Sequence, residues 1–419
     1  MSAPNSAFWR AMRCAARGSA THDEAVAAAY VASQFEALGL QHAPGRDGYV
    51  ETARIVRLRE NGAALLVVGG AVQPTPTLLF ASGNDVSGAL AVAATADAKA
   101  LPIAKVVVVT ARDASPGALL RGASAKGVAL VLIRETEATR ALRTRLGGAR
   151  LPLRAEGDAP APAGPTVATL PDAAIDALAA QAGTTATLSV PTIKEIAATS
   201  NAVGYLPGTD LNAGMILLSA HLDHLGVRGD GVVMQGANDD ASGTVAVIEL
   251  ARALSAGKRL RRGVLFVAYG SEEAGGFGAK SFAANPPVPL ARIAANIEFE
   301  MVGAQDPGLP AGTLMMTGYE RSDLGAALKR RGALVTADPY PEQNFFQRSD
   351  NYALALEGVV AHTVSGWATV PTYHTAEDTI ANIDVAFMTR AIQSLIAPMR
   401  WLADGGFTPK WAPGGRPTR

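Results

Sequence analysis

The chain has 419 residues, and 37 Lys and Arg residues balance 37 Asp and Glu residues, so its formal net charge is zero. Hydrophobic residues make up 48% and charged residues 18%, a composition typical of folded globular proteins and not of disordered chains. Because proteins that bind nucleic acids or anionic membranes carry an excess of basic residues, neutrality argues against both partners. No apolar run approaches the ~20 residues that a transmembrane helix needs.

The single cysteine, Cys14, excludes an internal disulfide framework and any cysteine-rich metal site. Of the six histidines, four follow residue 220. The first residues contain no apolar segment of the kind found in signal peptides. We expect a periplasmic or secreted protein whose signal peptide has been removed, with a cytoplasmic protein as the alternative.

The first two regions of the chain differ in composition. In residues 1–64, apolar side chains recur at helical spacing from Ala25, and Gly39 ends the predicted helix. Residues 65–192 are rich in Ala, Val, Gly and Pro and contain a strand–helix–strand pattern from Val106 to Ile133. A loop rich in Pro and Ala is predicted at 159–165.

In residues 193–405, segments typical of strands alternate with segments typical of helices, as in an α/β domain. We expect residues 406–419 to form an irregular tail. Apolar segments predict strands or helices at Met215–Ser219, Gly243–Leu254, Val264–Tyr269, Ile293–Glu300, Leu314–Thr317, Val359–Val364 and Ile383–Leu402. Strands that are apolar throughout and alternate with helices predict a sheet covered on both faces. The glycines at 275–278 lack the context of a nucleotide-binding loop, which excludes that function.

The first chemical motif is His221-Leu222-Asp223, directly after a predicted strand. A side chain at the carboxyl end of such a strand faces the crevice where open α/β sheets bind ligands. Asp223 can accept the other ring N–H of His221, which orients a metal-bound imidazole. The alternative is an exposed histidine beside an acid. His224 follows the motif and is expected to be a supporting or surface residue.

Paired acids form the second and third motifs. Asp239 and Asp240 precede a predicted helix, where they could be caps or could include a carboxylate that bridges two ions. Glu272 and Glu273 follow a buried strand, and such a pair can divide metal binding and proton transfer between them. The alternative for the glutamates is a solvated acidic turn.

Two further motifs complete the set. A strand ends with Glu300 in apolar surroundings, and His374 is followed four residues later by Asp378. The five motifs together supply two imidazoles and three carboxylates as ligands, with two further acids in support. Mixed imidazole and carboxylate ligands suit zinc, although cobalt or manganese can use the same ligands. Five ligands exceed the needs of one catalytic zinc and suit two ions ~3.5–4 Å apart.

With these motifs, the sequence resembles the co-catalytic zinc exopeptidases of metallopeptidase family 28, over about residues 198–400. The motifs that carry the resemblance are His221-x-Asp223, Asn238-Asp239-Asp240-Ala241-Ser242-Gly243, Glu272-Glu273-x-Gly275, Glu300-Met301-Val302-Gly303 and His374-Thr375-x-x-Asp378-Thr379. The resemblance implies a three-layer αβα zinc-exopeptidase (phosphorylase/hydrolase-like) catalytic domain from residues 1–64 and 193–405. Residues 65–192 are similar to the mostly-β protease-associated domain that many members carry as an insert.

The resemblance also implies roles for the site residues. Asp239 bridges two zinc ions, His221 and Glu300 complete one site, and Glu273 and His374 complete the other. Glu272 is the general base, and Asp223 orients His221. Asp378 supports the loop of His374.

The resemblance implies an aminopeptidase acting on peptides. A carboxypeptidase or dipeptidase on the same scaffold is an alternative, and a non-catalytic receptor-like protein is another. A substrate carboxylate would need an arginine such as Arg348, whereas a substrate amine would need an acid such as Glu298 or Glu342. Phenylalanines precede Ser349 where some aminopeptidases have an oxyanion-binding tyrosine, so we expect zinc or another donor, such as Arg348 or Tyr352, to take that role.

Overall fold

A computed structural model of the chain describes residues 15–158 and 164–418. Cys14 and most of the predicted loop at 159–165 lie outside the described residues. The chain divides into two compact units. Unit 1 comprises Met1–Ala53, Ala198–Val227 and Val233–Arg419, and unit 2 comprises Arg54–Ala197 and Arg228–Val232. The sequence composition suggests a boundary at residue 64, whereas the structure divides the units between Ala53 and Arg54. This boundary lies within one continuous strand, Val50–Glu60, and composition does not change there.

The described residues form helices α1 (His22–Ala37), α2 (Pro116–Lys126), α3 (Glu137–Leu146), α4 (Asp172–Ala179), α5 (Gly243–Ser255), α6 (Phe277–Ala284), α7 (Leu324–Arg330), α8 (Asn351–Leu356) and α9 (Val385–Ala403). Among these residues, no helix combines the length and the apolar composition that crossing a membrane requires.

The strands are β1 (Val50–Glu60), β2 (Leu65–Val68), β3 (Ala71–Val72), β4 (Thr77–Phe80), β5 (Val86–Ala93), β6 (Val106–Val109), β7 (Leu130–Arg134), β8 (Leu153–Ala155), β9 (Thr166–Leu170), β10 (Thr185–Ser189), β11 (Thr192–Leu206), β12 (Met215–His221), β13 (Gly226–Val227), β14 (Val233–Met234), β15 (Gly263–Tyr269), β16 (Ile293–Glu300), β17 (Leu314–Met316), β18 (Val335–Ala337) and β19 (Ala361–Ser365). The strands and helices predicted between 193 and 405 are confirmed to within about two residues.

Unit 1 is built on a sheet of strand order β18-β17-β19-β16-β12-β15-β11-β1. The four neighbours β19, β16, β12 and β15 run parallel to one another. Strands β17 and β11 pair antiparallel on either side of this group. Every residue of β12, β15 and β19 is buried, as expected for parallel strands covered on both faces.

Alternate residues of the central strands pack into two different cores. Ile216 and Leu218 of β12 join a core that includes side chains of α1, α5, α7 and α9. Their neighbour Leu217 joins a second core, which includes side chains of α6 and α8. Because successive side chains of a strand point to opposite faces, this division shows helices on both sides of the sheet. The predicted three-layer αβα architecture is confirmed.

The parallel strands bring four chain segments to one edge of the sheet. His221 ends β12, Tyr269 ends β15, Glu300 ends β16 and Ser365 ends β19. Because parallel strands share one direction, the loops that follow these residues leave the sheet on the same side. The motifs singled out in the sequence lie in these loops or at these ends.

Unit 2 has a sheet of order β3-β2-β10-β5-β6-β7-β9-β4, whose strands β5, β6, β7 and β9 run parallel. Its helix α2 begins at Pro116 after the N-cap Ser115 and ends before Gly127, whose φ of 70° is left-handed. The predicted strand–helix–strand unit between Val106 and Ile133 is therefore confirmed. The identity of unit 2 as a protease-associated domain stays a prediction.

Residues 406–418 are irregular but are anchored on unit 1. The guanidinium of Arg262 donates hydrogen bonds to the carbonyl of Phe407 and to Oγ1 of Thr408. The indole N–H of Trp411 donates to the carbonyl of Gly358. These bonds join the tail to the residue before β15 and to the loop between α8 and β19.

Candidate metal centre

The first group of ligand-type side chains comprises His221, Asp239 and Glu300. One ligand atom from each lies within 4.8 Å of the other two. Nε2 of His221 is 3.2 Å from Oδ1 of Asp239, and both side chains are buried. The ends of β12 and β16 supply His221 and Glu300, as the sequence predicts.

The second group comprises His224, Asp239 and Glu273. His374, the residue that the family resemblance implies here, also reaches this point. Its Nε2 lies 3.1 Å from Oε1 of Glu273 and 3.2 Å from Oδ2 of Asp239. The ring of His374 stacks on Tyr373 with centroids 3.8 Å apart, which fixes the plane of the imidazole.

Asp239 belongs to both groups, and each of its oxygens faces one of them. Oδ1 is directed to His221, and Oδ2 is directed to His374. The turn Ala237–Ser242 departs from helical dihedral angles at Asp239 and Asp240, so the two adjacent carboxylates enter different surroundings. A carboxylate shared in this way is the arrangement of a bridging ligand between two ions.

Glu272 lines a cavity of about 720 Å³ beside the two groups. Other residues of its wall include Lys280, Arg348, Asp350 and Tyr352. Burial raises the pKa of Glu272 well above its ordinary value, and the charges of Asp350, Glu300 and Glu273 act in the same direction. The carboxylate of Glu272 therefore has the environment of a group that accepts and holds a proton.

The shortest hydrogen bonds of the Asp223 carboxylate are to Ser19 and to the turn that carries Glu272 and Glu273. Its carboxylate accepts hydrogen bonds from the backbone N–H of Glu272 at 2.9 Å and of Glu273 at 3.3 Å, and from Oγ of Ser19 at 2.6 Å. Nδ1 of His221 is 3.7 Å from the carboxylate and 3.3 Å from the backbone carbonyl of Asp223. The carboxylate thus holds the Glu272–Glu273 turn, while the nearest partner of Nδ1 of His221 is a main-chain oxygen.

Asp240 and Asp378 tie the motif loops together through backbone N–H groups. Asp240 accepts hydrogen bonds from His221, Gly243 and Met301, at 3.2, 2.9 and 3.0 Å. Asp378 accepts from Asn238 at 2.8 Å and Asp239 at 3.0 Å. The carboxylate of Asp378 therefore links the loop that carries His374 to the turn that carries Asp239.

Opposite charges at the second group shift the pKa values of its members. Burial alone would raise the pKa of Asp239, but the nearby imidazoles of His221 and His374 hold it well below its usual value. Burial alone would lower the pKa of His374, but Asp239 and Glu273 raise it to about 9. The carboxylates therefore attract positive charge to this point, which a proton or a divalent cation can supply.

The residues of both groups fit a metal ion. Nε2 of His221, both ring nitrogens of His224 and Oδ2 of Asp239 are buried without a hydrogen-bond partner. Buried polar atoms without partners are costly, and coordination of a cation would satisfy them. Imidazole nitrogens and carboxylate oxygens together form a donor set that suits zinc.

The two acids suggested by the sequence for binding a substrate amine lie elsewhere. Glu298 is fully buried and accepts a hydrogen bond from the backbone N–H of Asn351. Glu342 is exposed in the turn Pro341–Gln343 and does not line the cavity. The wall instead contains Asp350, whose Oδ2 is buried without a hydrogen-bond partner.

The part of the chain that carries this geometry matches one known protein family. Residues 201–398 match the sequence model of peptidase family M28. The matched residues, just under half of the chain, form a peptidase M28 domain. The resemblance carried by the five motifs is therefore confirmed, and with it the predicted enzyme class of a metallopeptidase. No curated protein sequence matches the chain.

Solved structures of two aminopeptidases and of a peptidase precursor share the fold of nearly the whole chain. An aminopeptidase from Aneurinibacillus sp. is 22% identical with a TM-score of 0.60, covering 98% of this chain and 96% of its own. A zinc aminopeptidase from Bacillus subtilis is 20% identical with a TM-score of 0.57, covering 96% and 94%. A peptidase M28 precursor from Shewanella amazonensis is 17% identical with a TM-score of 0.54, covering 97% and 92%.

Three residues in or beside the two groups were missed or undervalued in the sequence. His224 is fully buried beside Glu273, and not at the surface. Arg17 donates to the carbonyls of Leu222 and Gly236, and so fixes the loop after β12. Glu24 accepts a hydrogen bond from Oγ of Ser271, just before the glutamate pair. The sequence holds one usable signal, since Glu24 interrupts the apolar face of α1.

Proposed function

We propose that the chain is an aminopeptidase that removes N-terminal residues from peptides with the help of two zinc ions. The observation that carries the proposal is the shared carboxylate of Asp239, which faces His221 with one oxygen and His374 with the other. A single ion would need one such group of ligands, whereas this chain has two groups that meet at one residue.

Each ligand has a role in this proposal. His221, Asp239 and Glu300 hold one ion, and Asp239, Glu273 and His374 hold the other. When bound, such ions lower the pKa of an attacking water and polarise the carbonyl of the scissile peptide bond. Glu272, at the wall of the cavity, accepts the proton of that water and returns it to the leaving amine.

Asp223 is a positioning residue in this scheme. By accepting the N–H groups of both Glu272 and Glu273, its carboxylate sets the spacing between the general base and a metal ligand. A base must lie within hydrogen-bond distance of the proton that it removes, so this spacing decides whether Glu272 can act.

The substrate end is recognised by the charges of the cavity. An α-ammonium group needs an unpaired acid, and Asp350 offers a buried oxygen without a hydrogen-bond partner. The cations of the wall are engaged elsewhere: Nζ of Lys280 donates to the carbonyl of Gly275, and the guanidinium of Arg348 lies over the ring of Phe345. This balance favours binding of an amine over binding of a carboxylate.

The proposal is tested with two substrate panels, each with and without a chelator. We expect hydrolysis of aminoacyl arylamides that have a free amine, and loss of that activity when the metal is removed. N-blocked dipeptides with a free carboxylate should be poor substrates. Faster cleavage of the N-blocked panel would favour a carboxypeptidase instead. Absence of hydrolysis in both panels, in a protein that binds two ions, would favour a receptor-like protein.

Two further proposals concern the rest of the chain and its surroundings. We propose that unit 2 is a protease-associated domain that influences access of peptides and contributes no catalytic group. A periplasmic or secreted location is also proposed. Fractionation of cells that express the full-length gene tests the location, and expression without residues 54–197 tests the role of unit 2.

A further inference from the structure

We propose that Nδ1 of His224 is a fourth protein ligand of the second ion, beside Asp239, Glu273 and His374. The inference rests on the proposed two-metal function and goes beyond it, because that function needs only three ligands at each ion. His224 lies three residues after His221, in the loop that follows β12. The proposal therefore assigns two ligands, one for each ion, to a single loop.

The position of His224 is that of a ligand. Its side chain is fully buried, and Nδ1 lies 2.9 Å from Oε1 of Glu273 and 3.8 Å from Oδ2 of Asp239. Two atoms that each lie ~2.0–2.1 Å from one zinc ion at the tetrahedral angle are about 3.3 Å apart. The contacts of His224 bracket that separation, and those of His374, at 3.1 and 3.2 Å, lie just below it.

The contact between His224 and Glu273 is not an ordinary hydrogen bond. Nδ1 is close enough to Oε1, yet neither nitrogen of the ring has a hydrogen-bond partner. An ion that lies between Nδ1 and the neighbouring carboxylate would give this buried nitrogen the partner that it lacks.

His362 shows what a structural histidine looks like in the same protein. It is also fully buried, but Nε2 lies 2.7 Å from Oγ of Ser322 and Nδ1 lies 2.9 Å from the carbonyl of Thr317. Both of its nitrogens are satisfied by protein atoms. His224 has equal burial without that satisfaction, and so it needs a partner that the protein alone does not supply.

The chain holds the ring of His224 in place from two sides. Its backbone N–H donates to the carbonyl of Arg17 at 2.9 Å. A Cβ atom at Gly236 would lie only 2.5 Å from Cγ of His224, so the ring packs directly on the glycine. A pre-positioned imidazole loses little freedom on coordination, which favours metal binding.

The extra ligand makes the two ions unequal. Three protein ligands leave a catalytic zinc with an open position, whereas a zinc with four protein ligands can take a water only as a fifth ligand. We therefore expect the ion near Glu273 to bind more tightly, and the ion near Glu300 to leave first during chelation.

The first test compares the zinc affinity of His224→Phe with that of His362→Asn as a control. Zinc content is measured by elemental analysis, and the affinity of each ion by competition with a chromophoric chelator. We expect the wild type and the control to bind two ions alike. His224→Phe should bind one ion normally and the other at least tenfold more weakly, since even supporting residues of metal ligands are worth ~10–100-fold.

The second test needs no variant and uses the wild-type protein labelled with ¹⁵N-histidine. Addition of zinc should move the Nδ1 resonance of His224 together with the Nε2 resonances of His221 and His374. An unmoved Nδ1 resonance overturns the inference, as does a loss below tenfold in His224→Phe. If the wild type binds no divalent ion, the proposed function fails as well, whereas two ions held equally by His224→Phe contradict this inference alone.

Discussion

Replacement of Asp223 by asparagine separates two roles that the sequence and the structure suggest for this residue. The sequence motif predicts a carboxylate that orients His221, a ligand of the first ion. The structure directs the carboxylate to the turn of Glu272 and Glu273, which belongs to the proposed site of the second ion. The variant Asp223→Asn keeps the size of the side chain but turns one of its two acceptors into a donor.

The expected loss of metal affinity in Asp223→Asn follows from the hydrogen bonds that the carboxylate accepts. In either orientation of the amide, the N–H of Glu272 or of Glu273 loses its acceptor, while the hydroxyl of Ser19 can rotate to accept. Loss of one hydrogen bond to a charged group costs about 1.5–3 kcal/mol. We expect the affinity of the ion held by Glu273 to fall ~10–100-fold, as for other supporting residues, and that of the ion held by His221 to fall less than about threefold.

Stepwise titration with Co²⁺, followed by its visible absorption and by chelator competition, measures both affinities. Glu273→Gln and His221→Phe serve as references, because each removes a ligand of one ion only. Asp223→Asn should resemble Glu273→Gln in the ion that it weakens. A variant that instead resembles His221→Phe would refute the reasoning from these contacts and restore the role suggested by the sequence.

Three further predictions concern catalysis, packing and pH. Glu272→Gln should retain both ions by elemental analysis but lose ~10²–10⁴-fold in kcat on arylamides, because the water loses its base; a loss below tenfold would contradict that role. Gly243→Ala should destabilise the protein by at least about 1–3 kcal/mol in a thermal melt, because the new Cβ would lie 2.0 Å from the carbonyl oxygen of Phe299. Its control is Gly48→Ala, whose Cβ meets no atom within 4 Å, and equal melting of the two variants would refute the packing argument. Burial lowers the pKa of His362 from 6.5 to about 4, so below pH 6.5 the unfolded chain takes up a proton that the folded chain does not. The free energy of unfolding should therefore fall by up to about 3 kcal/mol between pH 6.5 and pH 4 and be unaffected by this group above pH 6.5. Urea unfolding of the wild type and His362→Asn in chelator should show a difference that varies over this range, and a pH-independent difference would contradict the burial argument.

The ends of the parallel strands could be predicted because two local signals coincide there. An apolar run such as Val264–Tyr269 identifies a buried strand, and the charged pair after it identifies where the strand ends. Parallel strands then bring such ends together without any knowledge of the packing. His221, Glu273 and Glu300 could be assigned to one site for this reason.

The division of labour within each acidic pair could not be predicted in the same way. Asp239 and Asp240 are adjacent and chemically identical, and the local sequence does not state which faces the ligands. The backbone turn decides this, because Asp240 is directed to three N–H groups while Asp239 is directed to the imidazoles. The distinction thus depends on donors from β12, α5 and the loop after β16.

The buried position of His224 could not be predicted from the sequence for a related reason. A histidine three residues after a ligand can turn to solvent or back to the site, and the outcome depends on how its loop is held. Arg17 holds that loop from more than 200 residues away in the chain, through carbonyls on both of its sides. A contact of such separation has no local signal in one sequence.

The neutral charge of the chain conceals a strong local imbalance. Asp239, Asp240, Glu272 and Glu300 are gathered at one edge of the sheet, whereas the salt-bridged arginines of the chain pair with other acids. Burial of these acids raises the pKa values of Asp240, Glu272 and Glu300, which shows that their charges are poorly compensated by the protein itself. Two divalent cations would supply the missing charge, and their binding free energy would then add to the stability of the fold. Binding of these ions would therefore couple to folding through the same carboxylates that the proposed chemistry needs.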